Sequence, residues 1–213
     1  MEDIFTNIYN KNMWSMGQNE SKSGLGSSSL YTYNIINHLI NIISKYNINN
    51  ILDTSCGDWF WMKNLKNIFN EKMIKYTGLD IVKDICHKNN INYANNNIIF
   101  IHTDFLSYLK SLPDKSINLI LCRHTCEHLK TSYILDFIKE SKRVCKYLLL
   151  TTHRNATNNC DLILTDTPYR PVNLNLNPYN IFLDKYLIDS LYDGPTNQFL
   201  SEMFINLYNF NLE

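Results

Sequence analysis

Five short apolar runs, separated by stretches long enough for a helix, constrain this chain more than any other feature of it. They are Asn50-Ile-Leu-Asp53, Ile74-Lys-Tyr-Thr-Gly-Leu79, Ile98-Ile-Phe-Ile-His102, Ile117-Asn-Leu-Ile-Leu121 and Tyr147-Leu-Leu-Leu-Thr151. Runs of about five residues have strand length. The clearest intervening segment, 132–144, carries apolar residues at 134, 135, 137, 138 and 144, a helical spacing. Strands alternating with helices predict parallel βα units and an α/β fold whose helices cover both faces of a mostly parallel sheet. A further helix is expected over 30–46, preceded by a cap near Ser27 or Ser28. Residues 1–26 are polar and interrupted and read as a loop or lid, with Trp14 as its anchor. Residues 153–180 hold three prolines and read as a second irregular segment, while 182–192 and 202–212 could close the sheet as an antiparallel pair.

Composition narrows the setting. With 213 residues, 45% of them hydrophobic, the chain supports one sizeable core, and a single domain over 1–213 is expected. Lys+Arg and Asp+Glu number 20 each, so no overall basic field draws in a phosphate backbone. Lys63, Lys66, Lys72 and Lys75 read as a solvated face, and nucleic acid is not the expected partner. No apolar run reaches the roughly 18–20 residues of a membrane span, and residues 1–13 lack the pattern of a secretory leader. The six cysteines contain no CxxC pair and read as reduced, mostly buried thiols of an intracellular, cytoplasmic protein. Asn is so frequent that a lone Asn carries little functional weight.

The first apolar run ends in Asp53, and Ser55 and Gly57 then make a tight turn into a helix. In doubly wound sheets ligands sit at the carboxyl ends of strands, where the strand order reverses. An acid at that place suits an ammonium group better than a phosphate. The G-x-G-x-x-G fingerprint is absent, which argues against NAD or FAD, and the phosphate loop with its Gly-Lys-Ser/Thr is absent too. The remaining pattern resembles motif I of class I S-adenosylmethionine (SAM) methyltransferases, usually Asp-x-Gly-x-Gly-x-Gly, with Ser55 for the first glycine and Trp59 for the third. Asp80 ends the second run, where an acid can accept both ribose hydroxyls. Asp104 follows the third, where one can accept from the adenine amino group beside Phe105. Each acid alone could be a helix cap. Three at successive strand ends favour adenosine.

The likeness extends through 20–27 (Glu-Ser-x-Ser-Gly-x-Gly-Ser), Asp53-x-x-Cys-Gly-Asp-x-x-Trp-Met62, Tyr76-x-Gly-x-Asp-Ile-Val82, Cys122-Arg123 with His128-Leu129, and Tyr169-Arg-Pro-x-Asn-Leu174. Together these resemble a poorly characterised group of class I methyltransferases that includes bacterial members. The resemblance implies a Rossmann-like, seven-stranded, mostly parallel sheet and SAM as cofactor. Its implied cofactor residues are Asp53, Ser55, Gly57, Trp61, Asp80, Ile81, Asp104, Phe105 and Arg123. Where the group usually has an Asp after the Arg of the fourth strand end, this chain has His124.

A hydroxyl acceptor needs its proton removed, which favours a histidine near neutral pKa or a metal. The segment Arg123-His-Thr-Cys-Glu-His128 offers two readings. In one, His124 or His128 is the general base and Arg123 holds the cofactor or an anionic substrate. In the other, His124, Glu127 and His128, with His153, supply metal ligands on one helical turn. That pattern resembles the Glu-x-x-Glu-His site of ubiquinone-pathway and small-RNA O-methyltransferases; no metal is the expectation. Polar residues of 153–180, namely Arg154, Asn155, Asp161, Tyr169, Arg170 and Asn173, are read as contacts to a small, hydroxyl-rich acceptor such as a sugar or glycan precursor. The rival readings are an RNA 2′-O-methyltransferase and a non-catalytic SAM-binding protein.

Overall fold

A computed structural model describes residues 1–15, 20–181, 186–190 and 203–209, the last two segments by their backbone. The apolar runs become β1 (Asn50–Asp53), β2 (Lys75–Asp80), β3 (Ile98–His102), β4 (Ile117–Cys122) and β5 (Cys145–His153). Between and before them lie α1 (Glu2–Asn10), α2 (Ser29–Lys45), α3 (Lys66–Glu71), α4 (Lys83–Tyr93), α5 (Phe105–Ser111) and α6 (Thr131–Val144). The parallel part of the sheet has these five strands. β6 (Tyr186–Ser190) and β7 (Met203–Asn209) join one edge antiparallel, giving the order β3-β2-β1-β4-β5-β7-β6.

Successive residues of each strand go to opposite faces, so alternation sorts the core into two layers. Ile51, Tyr76, Leu119, Leu121 and Leu149 pack with Ile35, Leu39 and Ile42 of α2 and Phe69 of α3 on one side. Leu52, Leu79, Ile120, Leu148 and Leu150 pack with Leu109 of α5 and Ile134 and Phe137 of α6 on the other. Both faces are covered, which is why the strands read as near-continuous apolar runs.

β1 pairs with β2 on one side and with β4 on the other, so the strand order reverses there. Register brings Asp53 level with Gly78 and Leu121, and Asp80 level with His102, aligning the strand tips along one rim.

Two local expectations change. Residues 2–10 are a helix rather than loop, because Phe5 and Tyr9 stand one turn apart and pack with Val82 and Ile85. Helix α2 does follow Ser28, but that side chain makes no cap bond; Glu20 supplies the acceptor instead, taking the Ser29 N–H at 2.9 Å. None of the described helices is long and apolar enough to cross a membrane.

Candidate active site

Asp53 is 4% exposed and accepts a hydrogen bond from the Tyr76 hydroxyl at 2.7 Å. Burial pushes its carboxyl up to about 7, against the lowering effect of that bond. Asp80 accepts from the backbone N–H of Gly57 at 3.0 Å and of Val82 at 2.9 Å, one on each oxygen. Burial pushes it up to about 6. Asp104 caps α5 through the Ser107 N–H at 2.8 Å, and the Tyr133 hydroxyl donates to its other oxygen at 2.6 Å. All three acids line one cavity of about 380 Å³. Ser55, Gly57, Trp61, Ile81, Phe105 and Arg123 line it too, so every residue of the cofactor set read from the sequence meets there.

The turn after β1 explains its own residues. Gly57 has φ +55°, and a Cβ there would overlap Ser23 Oγ and lie 3.1 Å from the Tyr9 hydroxyl. Trp59, where the motif has a third glycine, also has positive φ (+57°) and is fully buried. Its ring sits against Tyr76, Tyr93 and Phe100 at centroid distances of 5.6, 4.9 and 5.3 Å, and this packing holds a conformation otherwise uncommon outside glycine.

The N-terminal segment forms the roof. Asp58 accepts from Ser21 Oγ at 2.9 Å, Lys22 N–H at 2.7 Å and Ser23 Oγ at 3.0 Å. Arg123 lies over the Trp61 ring at 5.2 Å and donates to the Gly26 carbonyl at 2.8 Å. Glu2 meets His102 at 3.0 Å. Ile4, Phe5, Tyr9, Trp14, Ser23 and Ser27 line the cavity from this side.

Past β4 the chain bends at His124, whose φ is +52° and whose N–H donates to Thr151 Oγ1 at 3.1 Å. Its Nδ1 donates to Glu127 Oε1 at 2.9 Å. Glu127 is 1% exposed; burial opposes its charge, but the His124 bond and the facing His124, His128 and His153 outweigh it and hold the carboxyl far below the usual range. His128 is turned elsewhere. Its Nδ1 donates to the Pro168 carbonyl, its ring lies 5.1 Å from Trp14, and burial lowers its pKa. Both histidines line the cavity. The alternative of ligands on one helical turn is not met, because His124 precedes a single 3-10 turn spanning Cys126–His128. Among the described residues no group of three His, Cys, Asp or Glu could hold a metal ion.

The polar residues of 153–180 lie apart from the cavity. Arg154 and Asn155 are exposed. The Asn173 amide donates to the carbonyls of Arg154 and Ala156, and buried Arg170 donates to the Leu129 carbonyl. The Tyr169 hydroxyl pairs with His153 Nε2 at 3.3 Å. Asn173 and Arg170 thus satisfy backbone carbonyls; Leu164, not one of these polar residues, reaches the cavity. Sequence reasoning missed Tyr76, Tyr133 and Asp58 as organisers of the acids and the roof. Tyr76 and Asp58 stood inside the matched motifs, whereas Tyr133 had no local signal.

Residues 51–147 match the methyltransferase-domain family. No curated protein matches the chain. Among solved structures, the domain's fold is similar to a Burkholderia thailandensis 1,6-didemethyltoxoflavin N1-methyltransferase (TM-score 0.59, 8% identity, 97% of this chain and 84% of that one). It is also similar to a candidate type 11 methyltransferase from Sulfolobus solfataricus (0.51, 17%, 81% and 89%). The chain spans about half the length, 52%, of a SAM-dependent methyltransferase from Archaeoglobus fulgidus that it matches over 54% of its own (0.40, 22%).

Proposed function

We propose that the protein transfers the methyl group of SAM to a hydroxyl of a small acceptor, with His124 taking the acceptor's proton. The observation that supports this reading is one cavity shared by the three strand-tip carboxylates and the His124 imidazole. Four carboxylates line it (Asp53, Asp58, Asp80 and Asp104) against two cations, Arg123 and Lys130, a balance suited to a ligand carrying a sulfonium and an ammonium. Asp53 would hold the ammonium. Asp80, each of whose oxygens keeps a lone pair beyond its backbone bond, would take the ribose hydroxyls. Asp104 and Phe105 would meet the adenine. Gly57 lets the turn pass close beneath.

SAM supplies an electrophilic methyl group and leaves as a neutral thioether, so the positive charge it gives up reappears as the proton the acceptor sheds. The chain's part is to orient the acceptor, exclude water and receive that proton at His124. Ile4, Phe5, Trp14, Leu129 and Leu164 make the remaining wall largely apolar. A hydroxyl on a planar ring fits such a wall better than a sugar or glycan precursor, whose expected contacts in 153–180 do not line the cavity.

Calorimetry with S-adenosylhomocysteine tests the reading. Micromolar binding is expected, weakened about tenfold or more in Asp80→Asn, which loses a charged acceptor. No binding at about 1 mM ligand, a standard free energy weaker than about −4 kcal/mol, would overturn it.

A further inference from the structure

Asp104 is held from two helices at once. Its Oδ1 accepts the Ser107 N–H of α5 at 2.8 Å, and its Oδ2 accepts the Tyr133 hydroxyl of α6 at 2.6 Å. The same hydroxyl oxygen takes the Leu106 N–H at 3.3 Å, so one phenol closes a relay from the first turn of α5 to the acid. A carboxylate can only accept and an amide N–H can only donate, so the Tyr133 hydrogen points at Asp104. Burial and the neighbouring Asp104 carboxylate push the phenol well above its usual range, and it stays a donor. Each Asp104 oxygen has spent one lone pair on a fixed donor and keeps another for a ligand. The Tyr133 ring is fixed as well. Tyr133 and Phe137 stand four residues apart on α6, and each meets the Phe105 ring edge-on at a centroid distance of 5.2 Å. Asp104, Phe105 and Tyr133 all line the cavity.

We infer that Tyr133 is the positioning residue that sets the choice of base: it pins the Asp104 carboxylate so that its remaining lone pairs accept from the amino group of adenine and reject a purine with a carbonyl at that place. This rests on the reading above that the cavity takes SAM. A carboxylate with no hydrogen to give rewards an amino group and repels a carbonyl oxygen at the same distance. An unpinned Asp104 would turn about its side-chain bonds towards whichever donor a ligand offers, and the discrimination would blur. Two fixed donors on two separate oxygens remove that freedom. At Asp80 both fixed donors are backbone amides, which no side-chain substitution removes. At Asp104 one of the two is a side chain, so selectivity for the base is the part of cofactor recognition that a single residue can set.

Calorimetry of the full chain with S-adenosylhomocysteine and with S-inosylhomocysteine, which carries a carbonyl in place of the amino group, tests this without any acceptor. The wild type is expected to prefer the adenine form by about 100-fold. Tyr133→Phe keeps the ring against Phe105 and removes only the hydroxyl. The preference should then shrink about tenfold, through weaker binding of the adenine form. A role confined to holding the fold would weaken both ligands alike and leave the ratio in place, and that result overturns the inference. In an Asp104→Asn background the same change should leave the ratio unmoved, because Tyr133 acts through the acid; effects that simply add would also overturn it. A wild type that binds both ligands equally overturns it whether or not either variant folds, and leaves the cavity's reading as a SAM site intact. Absent binding of both ligands sinks that reading itself, and the inference with it.

Discussion

The floor and the roof of the cavity are built by different means. The floor acids are held within the α/β frame: Asp53 by Tyr76 of the neighbouring strand, Asp80 by the amides of Gly57 and Val82, Asp104 by the first turn of its own helix and by Tyr133 of α6. The roof is tied on by side chains reaching across long sequence separations, above all Asp58 to Ser21 and Ser23, with Arg123 to Gly26. The floor therefore belongs to the sheet, and the roof belongs to the N-terminal segment laid over it. The difference is also one of accounting for the backbone: floor contacts come with the fold, while roof contacts can be removed one at a time.

Gly57→Ala should break the comparison most. The added carbon overlaps Ser23 Oγ, and φ +55° strains any other residue there. Strain of about 2 kcal/mol, together with a lifted roof, should cost about 30-fold in S-adenosylhomocysteine affinity by calorimetry. Next comes pH. The folded chain holds a proton on Asp53 up to about pH 7, whereas an ordinary carboxyl sheds it near 3.8. Without ligand, this group's contribution to stability is therefore full at low pH and is lost as pH rises to about 7. A ligand ammonium needs the carboxylate, so affinity should climb with pH by up to about tenfold per unit and level off above about 7. Asp53→Asn should flatten that slope, as read from calorimetry across pH. The smallest effect belongs to Asp58→Ala. Losing a carboxylate's bonds, worth about 1–3 kcal/mol, should speed proteolysis within residues 20–27 several-fold. S-Adenosylhomocysteine should slow that cleavage, and the fold of 51–147, followed by circular dichroism, should be untouched.

How far the sequence could be read follows the same divide. The five parallel strands were legible because burial on both faces leaves an unbroken apolar run, and the acids were legible because each stands at the end of one. Asp53 announces itself, but the Tyr76 hydroxyl that occupies one of its oxygens does not, since only register places a residue 23 positions later beside it. Helix α1 was hidden by its brevity and by the polar residues around Phe5 and Tyr9. The polar side chains of 153–180 misled for a physical reason. An irregular segment must satisfy its own backbone, so Asn173 and Arg170 look from the sequence like ligand contacts while they brace carbonyls.

Trp59 gives the molecule a further property. It is sealed in the aromatic layer beneath the cofactor turn, while Trp14 and Trp61 stand on the cavity wall. The chain thus carries three native fluorophores in two settings. Quenching on the wall reports arrival of a ligand, and a red-shifted emission from the deep ring reports that the interior has let water in. Binding and melting can be watched in one cuvette, without any label.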